Sequence, residues 1–353
     1  MRVPSKKPSN PNFSCGPTKK PDGWSISKLN LKYLGRYHRS RDVREHIEKI
    51  IFKVKKTLRI PESYKIFFLP GSSTGAMTSV MNSILGKNKI TSVIYDYWGL
   101  LWSQELKKLK FKVNCREELS GKLPSLDNIP VNHDIVFVWN ATSNGMSISN
   151  MNFLSENHNG LTISDLTSAV FVCDLPWHYL DVSVFSLQKA LGAESHKGVV
   201  VLSPKALERL KLNQLKLFNL KNFDFLINTP SLLSFADLEL CIDLYNRRGG
   251  LDENIKICKN NKKILDNWEK KSDFLRHFSL KKNQSVTPSY FVYKKKCNHK
   301  NILNFLSSKK IAFDIKNFRT MKEGIRIWNG PNIKKNDLIA LTNWLDWCFN
   351  EFE

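Results

Sequence analysis

One stretch of the chain, residues 161–198, constrains the fold more than any other. The run 161–164 leads to Asp165, and the run 182–187 leads to Gln188 and Lys189. Short apolar, β-branched runs bounded by turn residues are typical of buried strands in a parallel sheet. Ligands bind beyond the carboxyl ends of such strands, so these residues form a candidate site if their strands are neighbours. The residues alone leave two other interpretations open, since Asp165 could cap a helix and Lys189 could be a solvated loop residue.

The same kind of alternation extends over most of the first 250 residues. Further strands are predicted over 65–69, 89–95, 134–139 and 198–202, and helices over 42–58 and 76–85. Alternating strands and helices indicate a mostly parallel α/β sheet. Strands predicted over 289–293, 311–315 and 324–328 indicate a small α+β domain near the C-terminus. A chain of 353 residues exceeds one compact core, so we predict an N-terminal arm (1–16) that packs with the small domain, a large domain (17–250) and the small domain (251–353).

Composition excludes several classes of function. The formal charge of +23 comes from Lys and Arg scattered along the whole chain, so nucleic acid is not predicted as a partner. The seven cysteines are widely spaced and lack a Cys-x-x-Cys motif, which predicts neither a disulfide framework nor a metal site and fits a reduced cytoplasm. No apolar run approaches membrane length, so we expect a cytoplasmic protein without membrane contact.

Two further segments carry side chains suited to a ligand. The turn 70–75, Pro-Gly-Ser-Ser-Thr-Gly, links a strand to a helix and could hold an anion on free backbone N–H groups, or serve only as a turn and cap. Trp98 follows the strand 89–95 and could either pack or offer a flat face to a ring. An anion cradle, a stacking aromatic, an acid and a strand-end lysine together indicate a pyridoxal phosphate (PLP) enzyme.

Several motifs carry a family resemblance that covers nearly the whole chain. The chain resembles the phosphoserine aminotransferases, which are class V, fold type I enzymes, and among them the branch of alphaproteobacteria and some methanogens. The resemblance implies a PLP-dependent transferase fold with a large domain built on a seven-stranded sheet. The motifs are Phe13–Pro17, Leu34–Ser40, Gly71–Gly75, Trp139–Thr142, Gly160–Ala169, Phe185–Gly192, Ile227–Ser231 and Gly324–Trp328.

The resemblance also implies a role for each matching residue. Lys189 is the expected Schiff-base lysine and proton-transfer base, and Asp165 the partner of the pyridine nitrogen. Trp98 is expected to stack on the ring, and Thr142 to lie near its hydroxyl. The cofactor phosphate is expected to bind Ser73, Thr74 and Gln188, with Asn228 and Thr229 reaching it from a second subunit. The substrate is expected to bind Arg326 through its α-carboxylate, and His38, Arg39 and Arg319 through its phosphate or side-chain carboxylate, with Arg319 supplied by the second subunit.

The implied reaction is a ping-pong exchange in a homodimer with shared active sites. Glutamate gives its amino group to the cofactor, and 3-phosphohydroxypyruvate takes it to become O-phospho-L-serine. This is a step of serine biosynthesis, and the family often serves pyridoxal phosphate biosynthesis as well. The alternative is a class V relative that acts on a non-phosphorylated substrate, such as a serine–pyruvate or alanine–glyoxylate aminotransferase.

The chain departs from the family pattern in three places. The segment 211–227 is shorter than in the related branch, which leaves the cofactor pocket near the dimer interface in question. The family pattern Gly-Gly-Glu-x-x-His-Gly becomes Gly192-Ala-Glu-Ser-His-Lys-Gly198 here, so Lys197 stands in the position of the histidine. Ala141 replaces a glycine before Thr142.

Overall fold

Seven strands form the large sheet of the structure, a computed structural model that describes residues 2–212 and 229–352. They are β1 (Lys65–Pro70), β2 (Ile90–Ile94), β3 (Val113–Glu117), β4 (Asp134–Val138), β7 (Thr162–Asp165), β8 (Val182–Ser186) and β9 (Lys197–Leu202). A short hairpin, β5 (Asn140–Ala141) and β6 (Met146–Ser147), follows β4. The order is β1-β9-β8-β7-β4-β2-β3, and β9 runs antiparallel to both of its neighbours, β1 and β8. The other strand pairs of this sheet are parallel. The predicted seven-stranded, mostly parallel α/β sheet is confirmed.

Helices cover both faces of this sheet, which is why its central strands are buried along their whole length. One apolar cluster includes Met77 and Trp102 on one face, and the other includes Ile47 and Phe235 on the opposite face. The helices are α1 (Arg41–Thr57), α2 (Ser72–Ser83), α3 (Tyr97–Lys108), α4 (Pro204–Leu212), α5 (Leu232–Arg247), α6 (Gly250–Glu269), α7 (His299–Ser308) and α8 (Lys335–Glu351). Among the described residues, no helix combines the length and apolar character that crossing a membrane would require.

A second, antiparallel sheet is built from the C-terminal part of the chain. Its strands are β10 (Leu275–His277), β11 (Ser289–Tyr293) and β12 (Gly324–Ile327). The predicted strand over 311–315 is wrong: this segment forms only one isolated bridge, at Phe313, because Asp314 has a left-handed φ of 54° that breaks an extended backbone.

The N-terminal segment runs along this C-terminal part before it reaches the large sheet. The carbonyl of Lys6 accepts a hydrogen bond from Trp344 Nε1 at 2.9 Å, and Ser9 donates to Asp337 from its backbone N–H at 2.6 Å. The carbonyl of Phe13 then accepts from the backbone N–H of Trp328 at 3.0 Å. The predicted domain limits at residues 16 and 250 stay predictions.

Candidate active site

Asp165 and Lys189 follow neighbouring parallel strands. β7 pairs with β8, with Asp165 opposite Val184, and Lys189 comes three residues after the end of β8. Both side chains are buried, with exposed fractions of 5% and 8%. The condition that the sequence set for a site, that the two strands be neighbours, is met.

The carboxylate of Asp165 is held by three donors. Thr167 donates to Oδ1 from its backbone N–H at 3.0 Å and from its hydroxyl at 2.6 Å. Trp102 Nε1 donates to Oδ2 at 3.2 Å. Burial raises the pKa of Asp165, while these hydrogen bonds and the charge of Lys189 act in the opposite direction. Its carboxylate has no ion-pair partner among the described residues, so it can serve a bound cation.

Lys189 is enclosed by the N-terminal segment. Its Nζ donates to the backbone carbonyl of Cys15. Thr18 holds the adjoining backbone, since its hydroxyl donates to the carbonyl of Lys189 at 2.5 Å and its N–H to that of Gln188 at 3.0 Å. The pKa of Lys189 is lowered to about 8, chiefly by burial and also by the charge of Arg326, whereas Cys15 and Asp165 act in the opposite direction. An amine with that pKa can lose its proton near neutral pH, as a general base must.

The turn between β1 and α2 forms a cradle for an anion, which we call the α2 cradle (residues 71–75). The helix starts at Ser72 rather than at the predicted residue 76, so Ser73 and Thr74 lie in its first turn. Gly71 is the residue that precedes the helix, and its φ is 84°. Because glycine has no side chain, it cannot cap the free backbone N–H groups at the start of α2. A Cβ on Gly75 would lie 2.1 Å from the carbonyl oxygen of Pro70, so the tight turn requires glycine there.

Trp98 belongs to a cluster of aromatic side chains. Trp98 in the first turn of α3 has ring contacts with Trp102 and Phe318, each at 5.8 Å between centroids, with interplanar angles of 32° and 30°. Thr142 is buried and donates to Ser168 Oγ at 2.9 Å. The structure therefore brings Trp98 into the aromatic cluster around Asp165, through Trp102.

Arg326 on β12 carries a buried positive charge to the same place. Its Nη1 donates to the carbonyl of Thr142 at 3.0 Å, and its Cζ lies 4.9 Å from the ring centroid of Phe318. Its Nε is buried and has no hydrogen-bond partner. A guanidinium with an unused N–H is suited to bind a carboxylate.

The other expected substrate residues are more dispersed. Arg319 is exposed, donates to the hydroxyl of Tyr97 and lies 5.0 Å over the Tyr97 ring. It therefore lies beside Trp98 of its own chain, and its supply to the site of a second subunit stays a prediction. His38 is 9% exposed and its Nε2 is buried without a partner. In the described part of the chain, no hydrogen bond, ion pair or ring contact joins His38 or Arg39 to the buried site.

The expected phosphate residues near α5 are only partly described. Thr229 is exposed and lies three residues before α5, whereas Asn228 lies outside the described residues. Gln188 is adjacent to Lys189, and its Oε1 is buried without a partner.

Sequence reasoning missed four residues that shape this site: Trp102, Thr167, Cys15 and Phe318. Trp102 follows Trp98 by one helical turn, so helical spacing could have predicted that both face the same way. Thr167 follows Asp165 by two residues, a spacing typical of a side chain that binds its own backbone. Cys15 and Phe318 reach the site only through the folding of distant segments, and no local signal points to them.

The arrangement fits PLP, the cofactor that the resemblance implies. The α2 cradle presents uncapped backbone donors to a phosphate, and the buried Asp165 lacks a cation that a protonated ring nitrogen would supply. Lys189 is an amine of lowered pKa at the end of a neighbouring strand. Within residues 2–212 and 229–352, no cluster of His, Cys, Asp and Glu could hold a metal ion.

Comparison with known proteins finds relatives over nearly the full length of the chain. No family model matches the chain. A phosphoserine aminotransferase from Methanosarcina barkeri is 33% identical over 366 residues, which cover 98% of this chain and 99% of that protein. A solved phosphoserine aminotransferase described for radiation damage of its Schiff base has a TM-score of 0.84, with 20% identity and coverage of 98% and 99%. The PLP-bound phosphoserine aminotransferase from Trichomonas vaginalis has a TM-score of 0.79, with 16% identity and coverage of 96% and 99%.

The two solved structures show that the fold is shared, and they show no more than that because their sequence identity with this chain is low. The full-length relationship to the Methanosarcina protein goes further, because a third of the aligned residues are the same. The chain is a member of the phosphoserine aminotransferase family, within the fold type I PLP-dependent aminotransferases.

Proposed function

We propose that this protein transfers the amino group of L-glutamate to 3-phosphohydroxypyruvate, giving O-phospho-L-serine and 2-oxoglutarate. As a member of its family it is a PLP-dependent aminotransferase. The observation that carries the transaminase chemistry is the buried pair Asp165 and Lys189 at the ends of adjacent parallel strands. Serine biosynthesis in the cytoplasm is the role that follows from this reaction.

Each residue of the buried pair has a distinct task. Bound PLP supplies an electron-withdrawing ring that stabilises negative charge on the substrate Cα. Asp165 keeps a proton on the ring nitrogen, and its three donors fix the direction of the carboxylate. Lys189 moves the proton to and from the substrate Cα, for which its pKa of about 8 is suited. Trp98 provides the flat face against the ring, Thr142 lies near its hydroxyl, and Ser73, Thr74 and Gln188 hold its phosphate.

The cationic residues set the substrate class. Arg326 binds the α-carboxylate through its unused Nε and the neighbouring Nη groups. His38, Arg39 and Arg319 bind the substrate phosphate, since a dianion requires more than one cationic donor. A class V enzyme for non-phosphorylated substrates has no need of this second set. The relationship to phosphoserine aminotransferases over the full length also favours a phosphorylated substrate.

A homodimer completes the proposal. Among the described residues, no contact joins His38 or Arg39 to the buried site of their own chain, and the two follow a segment with exposed apolar side chains. In that segment Ile26 is 70% exposed and Tyr37 65%, and Leu31 and Leu34 are also exposed. Leu233 on α5 is exposed as well. In a dimer that buries these apolar groups between the two subunits, His38 and Arg39 of each subunit would lie at the active site of the other. Asn228 and Thr229 would reach the partner's cofactor phosphate in the same dimer.

A half-reaction tests the cofactor, the lysine and the substrate together. The purified protein should show the visible absorption of bound PLP, and O-phospho-L-serine should bleach it. Lys189→Ala should not respond to substrate. Arg39→Gln should lose the response to phosphoserine while keeping much of the response to alanine, which has no side-chain anion, and Arg36→Gln serves as the control on the same segment. Bleaching by alanine but not phosphoserine in the wild type would refute the proposed substrate.

A further inference from the structure

Lys197 is a buried amine that the proposed reaction does not use. It is 4% exposed at the first position of β9. Its Nζ donates to the carbonyl of Ser231 at 3.2 Å and to the hydroxyl of Ser234, and lies 3.9 Å from the ring centroid of Phe235. None of the described carboxylates forms an ion pair with it.

This position is unfavourable for a lysine charge. Burying an ammonium group without a counter-ion is costly. Ser231 caps α5, and the N-terminal end of a helix carries partial positive charge. Burial accordingly lowers the pKa of Lys197 to about 7, with the charge of Asp237 acting in the opposite direction. An apolar residue would fill the same space without this penalty, which indicates that the amine has a task of its own.

The backbone around Lys197 supports the α2 cradle. The carbonyl of His196 accepts a hydrogen bond from Ser72 N–H at 3.4 Å, and Lys197 pairs with Pro70 of β1. Gly198 lies so close to α2 that an added Cβ would be 2.1 Å from the carbonyl oxygen of Ser72. The first residues of β9 are therefore in direct contact with the start of α2.

The side chain of Lys197 reaches a second helix start. It binds the carbonyl of the capping residue Ser231 and the hydroxyl of Ser234 in the first turn of α5. Ser231 holds the same turn, since its hydroxyl accepts from Ser234 N–H at 3.2 Å. Thr229 lies two residues before Ser231. Lys197 thus connects β9, which contacts the α2 cradle, with the segment that carries Thr229, which is expected to bind the cofactor phosphate of the second subunit.

We propose that Lys197 is a positioning residue that holds the segment 229–231, at the start of α5, at a fixed position relative to the α2 cradle. In the dimer, the cofactor phosphate would then bind the α2 cradle of one subunit and Thr229 of the other. This inference rests on the proposed function, in which Thr229 contacts the phosphate bound to the partner subunit. Lys197 itself does not contact the cofactor, because its side chain is directed to α5 rather than to α2.

The test is the affinity of the cofactor-free protein for added PLP, followed by absorption. Lys197→Met keeps an unbranched side chain against Phe235 but removes both hydrogen bonds, and should raise the Kd for PLP about tenfold. Lys197→His retains a donor and should recover most of that affinity. Lys205→Met is the matched control, because Lys205 also donates to a backbone carbonyl, that of Gly160 at 2.5 Å, and to Asp181 Oδ2 at 3.4 Å. Among the described residues, no hydrogen bond or ion pair joins Lys205 to α2 or α5. Its Kd should equal that of the wild type.

A double variant separates positioning from a general loss of stability. If Lys197 acts through Thr229, then Lys197→Met combined with Thr229→Val should bind PLP no more weakly than the weaker single variant. The inference would be overturned if the increases in Kd of the two single variants multiplied in the double variant. It would also be overturned if Lys197→Met lowered the melting temperature but left the Kd for PLP unchanged. A wild type that takes up no PLP would instead refute the proposed function, and a Thr229→Val variant with unchanged Kd would refute the role of Thr229.

Discussion

Replacing Trp102 with phenylalanine isolates one hydrogen bond that supports Asp165. Trp102 is 2% exposed, and its Nε1 donates to Asp165 Oδ2 at 3.2 Å. Burial raises the pKa of Asp165, and this bond lowers it. A hydrogen bond to a charged group contributes about 1.5–3 kcal/mol, and about 1.4 kcal/mol corresponds to a tenfold change in an equilibrium constant. Its loss should therefore destabilise the ionised carboxylate and raise the pKa of Asp165.

The direction of the effect on activity follows from the role of the carboxylate. Asp165 must be ionised to hold a proton on the ring nitrogen, so its protonated form is inactive. The acid limb of kcat/KM for phosphoserine should move to higher pH in Trp102→Phe, and kcat/KM at a pH on that limb should fall about tenfold or more. Activity on the alkaline side of that limb should be closer to that of the wild type.

A second tryptophan provides the control. Trp268 Nε1 donates to Asp346 Oδ1 at 2.7 Å, which is the same kind of bond between α6 and α8. Trp268→Phe should lower the melting temperature without moving the acid limb. An unmoved limb in Trp102→Phe, or equal movement in both variants, would refute the reasoning.

Three other substitutions test separate parts of the structure. Asp134 is 0% exposed and accepts a hydrogen bond from Arg209 Nη1 at 3.0 Å. Arg209→Ala leaves this carboxylate without its counter-ion, so chemical denaturation should show a free energy of unfolding lower by about 3–5 kcal/mol. The control Arg41→Ala removes an exposed ion pair within a helix and should unfold like the wild type. Arg326→Gln removes a charge that lowers the pKa of the free Lys189 amine, so in the cofactor-free protein the pH dependence of Lys189 modification by an amine reagent should give a pKa above about 8. The exposed Arg276→Gln should leave that pKa unchanged. Gly75→Ala brings a Cβ against the carbonyl of Pro70 and should weaken PLP binding measured by absorption; normal affinity would contradict the geometry of the α2 cradle.

Local patterns in the sequence were sufficient for the buried strands and for the pair at their ends. The runs before Asp165 and Lys189 are apolar along their length, as strands covered on both faces must be. β3 was missed because it lies at the sheet edge and alternates exposed and partly buried residues, so it lacks such a run. The false strand over 311–315 has β-branched and aromatic residues, but the left-handed φ of Asp314 is not visible in composition.

The contacts that complete the site could not be predicted in this way, because they join distant segments. Cys15 meets Lys189 across 174 positions, and Arg326 meets Thr142 across 184. Both depend on how the N-terminal segment and β12 fold against the large sheet. Local periodicity cannot predict contacts between residues so far apart in the sequence. A family resemblance predicts that these residues lie in the same active site, but it does not predict their hydrogen bonds.

The balance of buried charge gives an independent argument for an anionic ligand. Lys189, Lys197 and Arg326 are all buried, and none has an ion-pair partner among the described residues. The two lysines can lose their protons, since burial lowers their pKa values to about 8 and about 7. Arginine cannot do so in a protein, and therefore Arg326 stays charged with one N–H unsatisfied. A carboxylate at that position would supply both the missing charge and the missing acceptor, which is why the α-carboxylate of an amino acid is the group that Arg326 is best suited to bind.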